Sequence, residues 1–217
     1  MKELEVPTLV DMIRQHMNDT YEPYLVPEWF ILQAIDTAQQ ELVDQTQPLT
    51  ATHTLAVTAG TASYALPDNL AQIRRGVSAT HQNTLHPLTL NQFDDMVGSW
   101  RTNTGTPRYI ITDEVLGHIR LYPEPVVDDT VTLTVFQHTT PIEALTDDLS
   151  VPARMRPALV TGALATLYGM QDAEVYNPQL ADRFTSLWYS QIRTLHGLHE
   201  RDTRGPGVTR FNRTGVW

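Results

Sequence analysis

Cysteine is absent from all 217 residues. The chain therefore has no disulfide framework, no thiolate metal site and no thiol nucleophile, and it suits a reducing cytoplasm. No apolar run approaches the roughly 20 residues needed to cross a bilayer. The opening Met1-Lys2-Glu3-Leu4-Glu5 carries acids where a signal peptide has its apolar core. A soluble, unexported protein with no membrane partner is expected. Also missing are a Gly-x-Ser-x-Gly elbow, a phosphate loop closing on Gly-Lys-Ser/Thr and a Gly-x-Gly-x-x-Gly fingerprint. These absences argue against an enzyme, and no cofactor is expected.

Basic charge is scarce and unevenly placed. Fifteen Lys and Arg face 25 Asp and Glu, a net charge of −10. Residues 201–217 hold four arginines (Arg201, Arg204, Arg210, Arg213) against Asp202, a balance of +3. The other 200 residues hold 11 bases and 24 acids, or −13. Such a body disfavours sequence-independent nucleic-acid binding, which needs Lys and Arg to neutralise phosphates. A basic tail on an acidic body reads as an arm that docks elsewhere.

What is present is enough for a real core. Hydrophobic residues make up 41% and charged residues 18%, which places the chain among globular proteins rather than disordered ones. The order is helices, strands, helices, tail. Leu9, Met12, Ile13, His16 and Met17 recur at helical spacing, with Pro7 in a first turn. Two prolines break the pattern between Tyr21 and Pro27. A second helix over about 27–44 carries the stripe Ile31, Ile35, Ala38, Leu42.

From about residue 50 short extended pieces take over, at 54–58, 63–67, 71–79 and 85–88. Beyond a short helix at 91–98, with Phe93, Met96 and Val97 on one face, come 108–112, 118–122 and 130–137. The last alternates, with Val131, Leu133 and Val135 on one side. A helix over about 152–171 follows. Asn177 then caps a final helix that starts at Pro178 and runs to about Leu198. Leu180, Phe184, Leu187, Trp188, Ile192 and Leu195 are its inward residues.

The expected fold class is α+β. N- and C-terminal helices, residues 1–49 and 141–200, form a bundle. Residues 50–140 form an inserted antiparallel β-sheet or sandwich module, and 201–217 an extended C-terminal arm.

Candidate chemistry is sparse. His196 and His199 stand i, i+3 with Glu200 behind them, whereas a zinc peptidase needs His-Glu-x-x-His. His81 and His86 flank a turn. The doublets Asp94-Asp95, Asp128-Asp129 and Asp147-Asp148 fall in loops or at a helix start, where carboxylates serve as turn and cap residues. Trp29-Phe30 and Trp188-Tyr189 sit in helical stripes and read as core or subunit-interface packing. Phe211 and Trp217 lie in a Gly- and Arg-rich arm that has no core of its own. Aromatic and Arg residues are the usual interface anchors, so a partner is expected to bury them.

In order, Pro7–Arg14, Pro27–Ile35, the Gly60-x-x-x-Tyr64-x-Leu66-Pro67 stretch, Gly105-Thr106-Pro107-Arg108-Tyr109 and the strand ending Tyr122-Pro123-Glu124-Pro125 resemble head-to-tail adaptor (connector) proteins of tailed bacteriophages. The likeness covers most of the chain. It implies a homo-oligomeric ring, commonly dodecameric, at the head–tail junction of the virion. There the ring sits between the portal protein and a tail or nozzle protein, and C-terminal arms clasp the portal. Genomic DNA passes through the lumen without specific binding. An acidic lumen is physically sensible for that role, since DNA must slide without sticking.

Assembly is then the mechanism, with heterologous contacts that close. The arm would fold on binding: Arg201, Arg204, Arg210 and Arg213 pair with portal carboxylates, and Phe211 and Trp217 fill apolar pockets. The alternatives are a tail-completion or tail-tube-proximal ring protein, a virion-associated hydrolase, which stoichiometric zinc would support, and a nucleic-acid-binding module.

Overall fold

The computed structural model describes residues 4–97, 100–171 and 174–204. In chain order these form α1 (Val6–Met17), α2 (Glu28–Thr46), β1 (Thr50–Val57), β2 (Ser63–Ala65), β3 (Leu70–Ser78), β4 (Thr84–Leu88), α3 (Leu90–Met96), β5 (Thr104–Gly105), β6 (Tyr109–Ile111), β7 (His118–Tyr122), β8 (Glu124–Pro125), β9 (Asp129–Gln137), α4 (Arg156–Gly169) and α5 (Pro178–Arg204). The fold is α+β. The chain divides into two compact units, Met1–Pro48 with Thr139–Trp217, and Leu49–His138.

In the helical unit α4 is the central element, packed against α1, α2 and α5. Its residues from Ala158 to Leu164, with Leu167 and Tyr168, are buried all round, as expected of a helix enclosed by others. α1 buries Val6, Leu9, Val10 and Ile13, one face at i, i+3, i+4, i+7. His16, read from spacing as part of that face, is exposed. Gly162 sits where three helices meet: a Cβ there would lie 2.8 Å from Ala38 Cβ of α2 and 3.1 Å from the Trp188 ring of α5. Trp188 is buried, and its indole N–H donates to Glu41 at 2.8 Å, tying α5 to α2.

The segment before α4 is also pinned to α2. Gln39 is fully buried, accepts from Ser150 N–H at 2.9 Å and donates to the Thr140 carbonyl at 3.3 Å. Asp36 accepts from Ile142 N–H at 3.1 Å. Proline at the first turn of α4 is Pro157, not Pro152; the chain makes a separate turn first, with Met155 N–H on the Pro152 carbonyl. α5 begins as its sequence cap requires, with the Asn177 side chain accepting from Leu180 N–H at 3.1 Å. Leu187, expected inward, is 45% exposed.

The second unit is one seven-stranded sheet in the order β1-β9-β3-β4-β6-β7-β2, with a separate pair β5-β8. It is a single sheet rather than a sandwich. β1 and β9 run antiparallel over their whole length, so the unit's first and last strands are neighbours. That arrangement lets it be inserted between helices with little cost to either part. Val131, Leu133 and Val135 of β9 are buried with Leu55, Val57, Ile73, Leu85, Ile110, Ile119 and Leu121. One large-sheet pairing departs from the antiparallel expectation: β4 and β6 are parallel. The connection between them contains α3, and a crossover of that length is what parallel neighbours need.

α3 opens with a capping box, Thr89 and Gln92 each bonding the other's backbone N–H. Its Phe93 is buried beside Trp100 and Ile111, with Tyr109 and Tyr122 packed against them. Met96, placed by periodicity on the same face, is exposed.

Candidate interaction surface

The stretches that carry the family likeness in the β unit converge in space. β2, within the Gly60–Pro67 stretch, pairs with β7. Gly60, at φ +76°, donates its N–H to the Pro125 carbonyl at 2.8 Å. Gly105 pairs with Pro125, and Arg108 N–H donates to the Tyr122 carbonyl at 2.7 Å. The Tyr64 hydroxyl donates to the Thr61 carbonyl at 2.6 Å and accepts from Thr58 N–H at 3.1 Å, closing the turn that Gly60 permits. These residues build scaffold.

The acidic doublets hold turns. Asp94 accepts from the Trp100 indole at 2.6 Å, and Asp128 from Ala59 N–H at 2.8 Å. Asp147 accepts from Glu143 and Ala144 N–H, both at 2.8 Å, and these bonds lower its pKa. Burial raises the Asp129 pKa, but donors from Ser78, Thr80 and Thr130 outweigh it and bring the carboxyl from 3.8 to about 2. The folded state thus holds this proton less readily than the unfolded chain. The stabilisation is full above about pH 4 and is lost as pH falls toward 2. Thermal unfolding of the β unit should show a shallower acid dependence over that window in Asp129→Asn than in the natural sequence.

His81 and His86 are exposed. His196 faces Glu200 at 3.8 Å, one turn along α5, both side chains about half exposed. Among the described residues no three His, Asp or Glu side chains gather as metal ligands. Nor is any helix there long and apolar enough to cross a membrane.

The most conspicuous surface lies in the helical unit, at the loop from residue 18 to 27. α1 ends on Asn18 in the left-handed region, φ 57°. Asp19 and Arg14 then form a buried ion pair at 2.8 Å. Asp19 also accepts from Leu25 N–H at 2.8 Å and Val26 N–H at 3.1 Å, while Arg14 donates to the Val26 carbonyl at 3.1 Å. The guanidinium carbon lies 3.8 Å from the Tyr24 ring centroid. With its carboxylate and guanidinium satisfied by the backbone they organise, the loop is clasped from within.

What the clasp displays is apolar. Tyr21 is 87% exposed, Leu25 54% and Trp29 63%. Leu25, Val26, Pro27, Trp29, Phe30 and Met170 line a groove of about 490 Å³, with Gln171 and Glu174 on its rim. In the sequence this stretch reads as a proline break followed by an aromatic pair in a helical stripe. The clasp joins Arg14 to atoms five and twelve residues away, a contact no periodicity signals.

The arm residues are placed in part. Arg201 and Arg204 belong to the last turn of α5, so the helix continues beyond Leu198, and Arg201 is exposed. Arg210, Phe211, Arg213 and Trp217 lie outside the described residues.

No curated protein matches the chain. A protein family, SU10 adaptor protein, matches residues 6–210, from the first residue of α1 to beyond the last of α5. The match thus takes in both units, with the converged scaffold turns of one and the clasped aromatic loop of the other, and the chain belongs to the SU10 adaptor protein family.

Proposed function

We propose that this phage adaptor protein is a head-to-tail adaptor: one subunit of a dodecameric ring beneath the portal of a tailed bacteriophage, joining the head to a tail or nozzle protein. The observation that carries the reading is the family match over residues 6–210. The charge distribution supports it. A body of −13 repels the DNA that passes through the ring, and a +3 tail is suited to an acidic partner. Subunits meet through heterologous contacts that close. The C-terminal arm clasps the portal, with Arg204, Arg210 and Arg213 on its carboxylates, Phe211 and Trp217 in apolar pockets, and Arg201 on the helical turn from which the arm departs. The role is structural, and no catalytic step belongs to it.

The test is native mass spectrometry and negative-stain microscopy of the protein with its portal, comparing the full chain with a 1–204 truncation that leaves α5 whole. A portal-capping ring with the full chain, lost on truncation, is the expected result. Failure of the full chain to bind the portal would overturn the reading and favour a tail-completion or tail-tube-proximal ring.

A further inference from the structure

α5 carries more apolar surface than its own bundle covers. Trp188 and Ile192 are buried against the neighbouring helices. Leu180, Leu187 and Leu198 fall within about 20° of one another on the helical wheel and roughly 100° away from Trp188. Leu187 and Leu198 are 45% and 43% exposed, so they form a ridge along the outside of the helix. Arg183 and Arg201, both exposed, stand about 40–60° to one side of that ridge, on the same line five turns apart. The acids Asp182 and Glu200 lie roughly 140° round the helix from it. The leucine ridge thus has arginine along one side.

The clasped groove has the opposite character. Its walls are Leu25, Val26, Pro27, Trp29, Phe30 and Met170. Glu174 lines it, exposed Glu28 stands in the chain between its lining residues Pro27 and Trp29, and no basic side chain lines it.

We infer that the leucine ridge of α5 in one copy of this chain seats in the clasped aromatic groove of the next. The inference rests on the ring reading and names the surfaces that would close the ring. Charge complementarity selects the occupant: arginine against glutamate, around an apolar centre. Both halves are on every copy and they differ, so each contact uses one groove and one ridge and leaves one of each to continue, which is the head-to-tail geometry of a ring. The chain's own arm fits less well. The groove lies beside the start of α5, where Asn177 N–H meets the Tyr168 carbonyl at the end of α4. Arg201 and Arg204 lie at the other end of this 27-residue helix, about 40 Å away. The Arg14–Asp19 clasp holds the groove's loop in shape before contact, which lowers the ordering cost of association.

Because the chain has no cysteine, introduced thiols report the contact directly. Leu25→Cys and Leu187→Cys variants of the full-length protein, mixed and oxidised with the portal present, should give a disulfide-linked heterodimer. Its yield should stand well above that of Leu25→Cys mixed with Leu116→Cys, whose site in the β unit is 99% exposed. Reversing the groove charges (Glu28→Lys with Glu174→Lys) should lower the yield about tenfold, and reversing the ridge (Arg183→Glu with Arg201→Glu) in the partner variant should restore it.

Yield no higher than the control, or preferential coupling of Leu25→Cys to Trp217→Cys, would overturn the inference; the second result would give the groove to the arm. Native mass spectrometry of the same samples separates this inference from the ring reading. Rings without the Leu25–Leu187 coupling discard these surfaces and leave the ring, whereas loss of both discards the two together.

Discussion

Replacing Asp19 by alanine should destabilise the helical unit by about 3–5 kcal/mol, the usual consequence of leaving one member of a buried ion pair uncompensated. Arg14 and Asp19 side chains are only 8% and 2% exposed. In Asp19→Ala the guanidinium keeps just the Val26 carbonyl and the Tyr24 ring, and Leu25 and Val26 N–H lose their acceptors. Asp19→Asn, which keeps an acceptor but loses the charge, should fall between the two. The double variant Arg14→Met with Asp19→Leu should be less damaged than Asp19→Ala, because no charge is then left buried alone. Urea unfolding followed by far-ultraviolet circular dichroism reads the helical unit. Limited proteolysis within residues 18–27 reads the clasp itself, and faster cleavage in Asp19→Ala is the expected companion result. A loss under about 1 kcal/mol would mean that water enters and the pair is not buried in solution.

Gly162→Val should cost about 3 kcal/mol, at the upper end of what overpacking a closed core does. Gly162→Ala should also destabilise, although alanine is the better helix former by about 1 kcal/mol. The physical reason is distance: a Cβ would lie 2.8 Å from Ala38 Cβ and 3.1 Å from two atoms of the Trp188 ring. Neither neighbour is a flexible tip that can swing away. One is a methyl rooted on α2, and the other an indole held by its bond to Glu41. The diagnostic variant is Gly162→Ala with Ala38→Gly, which moves the methyl from one helix to the other. It should recover much of the stability lost in Gly162→Ala, because the space between α2 and α4 holds one methyl and not two. If Gly162→Ala proves stabilising, the three helices pack more loosely here than the structure has them.

Local patterns in the sequence settle much of the scaffold, because the interactions responsible are themselves local. The i, i+4 spacing of Leu9 and Ile13, and the stripe of Ile31, Ile35, Ala38 and Leu42, make helices with those faces inward. Asn177 before Pro178 starts α5 because an Asn side chain reaches its own helix's first N–H groups. Alternation in β9 puts Val131, Leu133 and Val135 on the core side. The Gly60-to-Tyr64 spacing is a turn that a hydroxyl closes. Membership of a phage adaptor family was readable in this way, from the two opening helices together with turns and strand ends.

Tertiary structure alone decided where a pattern meets its partner. Periodicity says that α5 has an apolar arc but not how much of it α4 and α2 can cover. Trp188 is buried for that reason, whereas Leu187, one residue earlier, is left to solvent. Two prolines between Tyr21 and Pro27 say that a helix stops. They do not say that Arg14 and Asp19 will close beneath the loop and display its aromatics, because that pair is stable only where burial and backbone donors coincide. The parallel pairing of β4 with β6 was set by the path of the chain through α3, not by the composition of either strand. The candidate groove was hidden because it joins Leu25, Val26, Pro27, Trp29 and Phe30 to Met170, Gln171 and Glu174, and only folding brings stretches that far apart in the chain onto one surface.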